Sequence, residues 1–178
     1  PLRLVGSEMC IRDRIYGIGD FSLAKDLHIS RAEAKNYIET YLERYPNVRK
    51  YMEDIVDMAK NQGYVTTIMN RRRAIKEIRS SNKIVRSLGE RLAMNTPIQG
   101  SAADIIKIAM INVYNKLREK NLKSKVILQV HDELILNLFK DELDVVRNIV
   151  KTEMENAVSL KVPLEVDINS GDNWYEIK

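Results

Sequence analysis

The sequence predicts an α+β fold. Three observations carry that prediction. Apolar residues recur at helical spacing in several long stretches that open on capping signals. Short β-branched alternations lie between them, and one pair is separated by only three residues, the length of a hairpin connection. Neither internal repeats nor low-complexity linkers interrupt the order, and helices with an antiparallel hairpin give the α+β class.

Ser30 and Glu33 form the S-x-x-E pattern of a capping box. Ala34, Tyr37, Ile38, Tyr41, Leu42 and Tyr45 follow at helical spacing. Pro46 ends that helix and serves as the first residue of the next, which runs to about Gln62 with Gly63 as its stop. YVTTIM (64–69) alternates and is β-branched, which predicts a strand. NRRR (70–73) is expected as a basic turn and AIKEI (74–78) as a returning strand. A helix is expected from about Lys83 to Met94. Thr96-Pro97 then predicts a fresh start, with Thr96 as cap, Pro97 first and Gln99 third. Ile105, Ile106, Ala109, Met110, Val113 and Leu117 form the apolar stripe of this helix, which ends near Asn121. Residues 125–130 and 134–138 read as strands, 141–158 as an amphipathic helix, and LEVDIN (164–169) as a last strand.

The 178 residues suit one domain or part of a larger one. At 44% hydrophobic and 30% charged, the composition is that of a soluble globular protein. No apolar run approaches the roughly 20 residues that span a bilayer, so no membrane association is expected. The N-terminus lacks the apolar core and cleavage site of a signal peptide. Cys10 is the single cysteine, which excludes an internal disulfide framework and a Cys-cluster zinc site and makes a reducing, cytoplasmic setting the expectation.

Net charge is +4 but unevenly spread. Residues 70–91 hold Arg71, Arg72, Arg73, Lys76, Arg79, Lys83, Arg86 and Arg91 against Glu77 and Glu90, a local +6 that leaves the remainder at −2. Such a block suggests a polyanion partner. Charge alone leaves a solvated face equally open.

Within KVILQVHDELILNL (125–138), His131-Asp132-Glu133 stands between two apolar runs. The carboxylates therefore need not be buried in a strand and sit at a hairpin tip. Hard oxygen ligands on a rigid tip suit Mg²⁺, which binds through one or two carboxylates plus waters and phosphates. Taken alone, the triplet fits a solvated polar turn better, since turns are normally polar. A His-Asp metal dyad of the phosphohydrolase kind needs further histidines, and only His28 remains, so that reading is set aside.

Several motifs in order then carry a resemblance. QVHDEL (129–134), YGIGDFSLAKDLHISRAEAKNYIETYLERYP (16–46), GYVTTIMNRRR (63–73), ERLAMNTPIQGSAADIIKIAM (90–110) and GDNWYEIK (171–178) resemble successive segments of family A DNA polymerases, across Ile15 to Lys178. QVHDEL is similar to that family's motif C. The resemblance implies a partial polymerase palm, whose antiparallel sheet carries the motif C hairpin, with long helices and the C-terminal part of the fingers. On that reading residues 15–89 are the fingers remainder and 90–178 the C-terminal part of the palm. It implies template-directed nucleotidyl transfer with Mg²⁺, with primer–template DNA and dNTP as partners, in a protein that is a monomer when full length. Asp132 would be a metal ligand and half of the catalytic carboxylate pair, with Glu133 in a lesser catalytic role. Tyr16 and Gly17 match residues guarding the nucleotide and template site. Arg91, Asn95, Gln99 and His131 match residues that contact primer–template. Arg71, Arg72 and Arg73 are expected to meet template phosphates.

The family's nucleotide-binding helix carries R-x-x-x-K-x-x-x-F-G-x-x-Y-G. Counting back from Tyr16, its Phe, Lys and Arg positions hold Arg12, Glu8 and Leu4. MCIRDR (9–14) is encoded by ATG TGT ATA AGA GAC AG(A/G), which resembles the transposon-end adaptor of sequencing libraries. Residues 1–14 are therefore expected to be a non-native, adaptor-derived segment, against the alternative of a divergent native N-terminus. The first catalytic Asp of the family would lie upstream of Ile15, so the chain alone is expected to be inactive. The alternative function is a nucleic-acid-binding remnant with no chemistry.

Overall fold

A computed structural model describes residues 20–173, 175 and 176. The expectations for residues 1–14, Tyr16 and Gly17, and for Trp174 in GDNWYEIK, lie outside the described residues. The chain divides into two compact units, residues 1–101 and 102–178, and the division falls inside one long helix. The observed class is α+β, helices with two separate two-stranded antiparallel sheets.

The first unit opens with α1 (Asp20–Leu27), α2 (Arg31–Arg44) and α3 (Pro46–Gln62). The capping box is present: Glu33 N–H donates to Ser30 Oγ at 3.2 Å, and Ser30 N–H donates to Glu33 Oε2 at 2.9 Å. The Ser30 hydroxyl, which donates to the same carboxylate at 2.7 Å, and then the Ser30 N–H hold the Glu33 carboxyl below its ordinary range. Leu23, Ala24, Ala34, Ile38 and Leu42 bury the facing stripes of α1 and α2. Pro46 stands at the start of α3, and Gly63 ends it at φ 80°, a left-handed conformation that glycine adopts freely. Arg79 caps the same end, Nη2 donating to the Lys60 and Asn61 carbonyls at 3.1 and 3.0 Å. One cation of the basic block is thus spent on helix carbonyls that have no partner within α3.

β1 (Tyr64–Thr66) and β2 (Arg72–Ala74) pair antiparallel with Val65 opposite Arg73. The hairpin is shorter than the alternation 64–69 predicted, and its second strand lies earlier in sequence. Arg72 and Arg73 belong to β2 rather than to a turn, and most of AIKEI becomes a 3-10 turn, Lys76–Arg79. The physical reason is the loop. Thr67 N–H donates to the Arg71 carbonyl at 3.0 Å, and Asn70 takes φ 58°, which asparagine tolerates. That leaves a three-residue loop, Ile68–Asn70, and fixes the register.

α4 runs without interruption from Lys83 to Glu119, with Pro97 inside it. This corrects the expected pair of helices, and Thr96 is not an N-cap. An internal proline costs about 3 kcal/mol, so tertiary contacts must override it. Ala93 and Met94, just before Pro97, are buried with Ile55, Ala59, Val65, Ile75 and Ile78. Tyr51 Oη–H donates to the Met94 carbonyl at 3.4 Å, and partial burial raises its pKa. Past the proline, Ser101 Oγ–H donates to the Pro97 carbonyl.

In the second unit α4 ends on Asn121 at φ 53°. Leu122 N–H donates to Leu117 O and Asn121 N–H to Arg118 O, both at 3.0 Å, a Schellman closure with asparagine in the left-handed position. β3 (Lys125–Val130) and β4 (Glu133–Asn137) form the second hairpin, followed by a 3-10 turn (Lys140–Glu142) and α5 (Leu143–Glu155). Val113, Leu117, Val146, Ile149 and Val150 are its buried core, against which Val126, Leu134 and Leu136 pack. The base of the hairpin is tied by Glu142. Its carboxylate accepts Lys123 N–H and Ser124 N–H at 2.9 Å each and Ser124 Oγ–H at 2.6 Å.

The expected last strand is absent among the described residues. Leu164, Val166 and Ile168 are half-buried and alternate with exposed neighbours, so the burial rhythm is that of a strand. What is missing is a ladder partner. Val166 N–H donates instead to Glu155 Oε1 at 3.3 Å. No helix among the described residues is long and apolar enough to cross a membrane.

Candidate functional site

The acidic turn of the second unit is built by register. Val130 pairs with Glu133 as the last rung, so only His131 and Asp132 form the connection. The expected three-residue tip is therefore corrected: Glu133 begins β4. His131 takes φ 53°, a left-handed conformation unusual for a residue with a side chain, and Gln129 Nε2 donates to its carbonyl. The pairing also assigns faces. Val126, Leu134 and Leu136 point to the core, while Glu133 shares the opposite face with Leu128 and Ile135 across a bulge at Ile127. Ile127 and Leu128 are 61% and 46% exposed on this uncovered side. His131, Asp132 and Glu133 are all exposed, held forward by a hairpin whose other face is anchored.

The donor set fits magnesium in kind. Two adjacent carboxylates supply hard oxygen ligands, and Mg²⁺ asks the protein for one or two of them. No group of three or more His, Cys, Asp or Glu side chains among the described residues forms a closed metal cage.

The first unit holds the basic part. A cleft of about 220 Å³ is lined by Thr67, Arg71, Arg72, Arg73, Thr96, Gln99 and Gly100. Each arginine has an internal contact. Arg71 Nη2 donates to the Gly100 carbonyl at 3.1 Å, Arg73 Nη1 to Thr96 Oγ1 at 3.3 Å, and the Arg72 guanidinium lies 4.9 Å from the Tyr64 ring centroid. Buried Thr67 and Thr96 are both satisfied, Thr67 Oγ1 accepting Arg71 N–H at 3.2 Å.

The continuity of α4 gives the expected DNA-contacting residues a common geometry. Arg91, Asn95 and Gln99 are four apart, so they fall on one helix stripe about 12 Å long. Arg91 and Gln99 are exposed and Asn95 half-buried. With Thr96 inside a helix, a capping box no longer accounts for Gln99. Sequence reading missed Thr67, Gly100 and Ser101 and gave Thr96 only a capping role, whereas all four hold the hairpin to the helix. The signal that could have found them is the small-residue run GSAA (100–103) straight after Pro97-Ile98-Gln99, which permits close backbone approach.

The chain belongs to DNA polymerase family A, whose family model matches residues 12–176. DNA polymerase I of Caldicellulosiruptor bescii is 57% identical over 164 residues, which are 92% of this chain and 19% of the relative. DNA polymerase I of Bacillus subtilis is 54% identical over the same shares. Among solved structures, the POL domain of Pol1 from M. smegmatis, in complex with DNA primer-template and dNTP, superposes with a TM-score of 0.94. It is 43% identical, over 97% of this chain and 30% of that one. The chain thus spans about a fifth of the length of the curated relatives it matches.

Proposed function

We propose that the chain is part of a template-directed DNA polymerase, in which a primer 3′-hydroxyl attacks the α-phosphate of a dNTP and pyrophosphate leaves. The observation that carries this reading is the His131-Asp132 turn: an anchored hairpin holds an exposed carboxylate pair, in a chain of family A. The M. smegmatis relative, bound to primer-template and dNTP, supports DNA and nucleotide as the partners. In this proposal residues 15–89 are the fingers remainder, 90–178 the C-terminal part of the palm, and 1–14 a non-native segment. The full-length protein works as a monomer in the cytoplasm.

Asp132 would hold Mg²⁺, with Glu133 beside it in a lesser role. Bound there with a second ion, the metal supplies charge stabilisation to the attacking and leaving oxygens. The remaining work is positioning. Arg71, Arg72 and Arg73 meet template phosphates. Arg91, Asn95, Gln99 and His131 face the minor groove, where every correct pair presents purine N3 or pyrimidine O2 acceptors. A donor there reads pair shape without reading sequence, which copying requires. Tyr16 and Gly17 guard the insertion site.

The second reading, a nucleic-acid-binding remnant with no chemistry, is favoured by one observation: the cleft lined by Arg71, Arg72 and Arg73 suits phosphates without any part played by the carboxylates. One measurement separates the readings, and a second checks that the chain alone is inactive. Residues 15–178 are grafted onto the upstream part of a relative's polymerase and assayed for Mg²⁺-dependent dNTP incorporation, which the polymerase reading predicts. The 1–178 chain assayed alone is expected to bind primer–template without extending it. A silent chimera that still binds DNA would overturn the catalytic assignment.

A further inference from the structure

The β1–β2 loop and the α4 turn beneath it share one hydroxyl. Ile68 N–H, at the loop tip, donates to Ser101 Oγ at 2.8 Å. An oxygen accepting there has its own proton to give, and Ser101 Oγ–H gives it to the Pro97 carbonyl. A mid-helix serine bonding back to the carbonyl four residues earlier is common. The second partner is not: here it is a backbone N–H from the loop that carries Arg71. Two more features close the same gap. Arg71 Nη2 donates to the Gly100 carbonyl at 3.1 Å, and a Cβ on Gly100 would stand 2.6 Å from Thr67 Cγ2. Gln99 lies inside this pinned segment, between Pro97 and Ser101, and shares the cleft with the three arginines.

We propose that Ser101 is a positioning residue for Gln99. Its hydroxyl ties the Thr67–Arg71 loop to the Pro97–Ser101 turn, so that the phosphate-facing arginines and the Gln99 donor meet DNA in one fixed register. The inference rests on the reading of Gln99 as a donor to the newly formed pair. Without the tie, Gln99 loses its fixed distance from the phosphates. A matched primer end, which offers an acceptor in the correct place, suffers more than a mismatched end, which does not.

The experiment uses the grafted polymerase and measures extension from matched and mismatched primer ends for Ser101→Ala, Ser101→Thr, Gln99→Ala and the Ser101→Ala/Gln99→Ala double variant. Ser101→Ala is expected to lower the matched rate about five-fold, the worth of one hydrogen bond, with a smaller fall from the mismatched end. Ser101→Thr keeps the hydroxyl and restores the matched-to-mismatched ratio. In the Gln99→Ala background, Ser101→Ala should lower that ratio no further, because Ser101 acts through Gln99. Should the alanine variant fail to fold, Ser101→Cys, near in volume but a weak hydrogen-bonding partner, carries the same comparison. An unchanged ratio in Ser101→Ala, no rescue by threonine, or an equal further fall without Gln99 would each overturn the proposal while leaving Gln99's role standing. An unchanged ratio in Gln99→Ala itself would remove the reading beneath it.

Discussion

Gly89→Ala should destabilise the protein although alanine is the better helix former. Gly89 is buried in α4 against the 3-10 turn. A Cβ there would lie 2.5 Å from Ile78 N and 2.8 Å from both Glu77 C and Ile78 Cα. All three are backbone atoms, so no side chain can swing aside. Contacts between carbon atoms are comfortable near about 3.5 Å, so helix or turn must move by close to 1 Å. Two effects oppose. Alanine gains about 1 kcal/mol over glycine in a helix interior. Overpacking costs about 1–3 kcal/mol, and the upper part of that range applies because Ile75 and Ile78, beside the clash, are 1% and 2% exposed. The net loss is then about 1–2 kcal/mol, or a melting temperature lower by about 2–8 °C for a chain of this length. Denaturant and thermal unfolding of the 1–178 chain followed by circular dichroism measures it. Gly100→Ala is the control: its nearest atom is the Thr67 side-chain methyl at 2.6 Å, so adding Thr67→Ser should recover stability there. A Gly89→Ala variant as stable as the parent, or more so, would refute the close approach.

Three further outcomes are expected. The hydrogen bonds from Lys123 N–H, and then from Ser124, hold the Glu142 carboxyl below its ordinary range. Its contribution to stability is therefore present above the unfolded value, about 4.3, and lost as pH falls through the lower folded value. Glu142→Gln should shift the urea midpoint at pH 7 and shift it less in acid; an equal shift at both would contradict this. Arg72→Ala should reduce the salt slope of primer–template binding by about 0.9 at every sequence, whereas Gln99→Ala should barely move it; matching slopes would return Gln99 to general binding. Deleting residues 1–14 should change stability by no more than about 0.5 kcal/mol, and a loss of several would make them part of the fold.

Much of this was legible because it is local. Ser30 with Glu33, Pro46 and Gly63 act within one turn of chain, and each sits where its chemistry predicts. The failures came where distant contacts decide. Thr96-Pro97 has every mark of a helix start, yet burial of Ala93 and Met94 and the hydrogen bonds at Met94 and Pro97 carry α4 through it. LEVDIN keeps the alternate burial of a strand without a ladder partner among the described residues. The triplet at 131–133 gave the hairpin and its acids, but the boundary between turn and strand depends on Val130 pairing with Glu133. At the basic cleft the arginines were readable as charge. The partners that orient them, Gly100 and Thr96, lie more than twenty residues away and have no charge signal.

The proposed role of the His131-Asp132 turn is to present a metal-binding carboxylate for nucleotidyl transfer. The measurement that tests it most directly is single-turnover dNTP incorporation, alongside primer–template affinity, for Asp132→Asn and Glu133→Gln in the grafted polymerase. Asparagine keeps the shape and removes the charge that a hard cation needs. Asp132→Asn is expected to lower the rate by orders of magnitude with DNA affinity nearly intact, and Glu133→Gln, at the first residue of β4, to cost distinctly less. Small and equal effects from both substitutions would contradict it and leave the triplet a solvated polar turn.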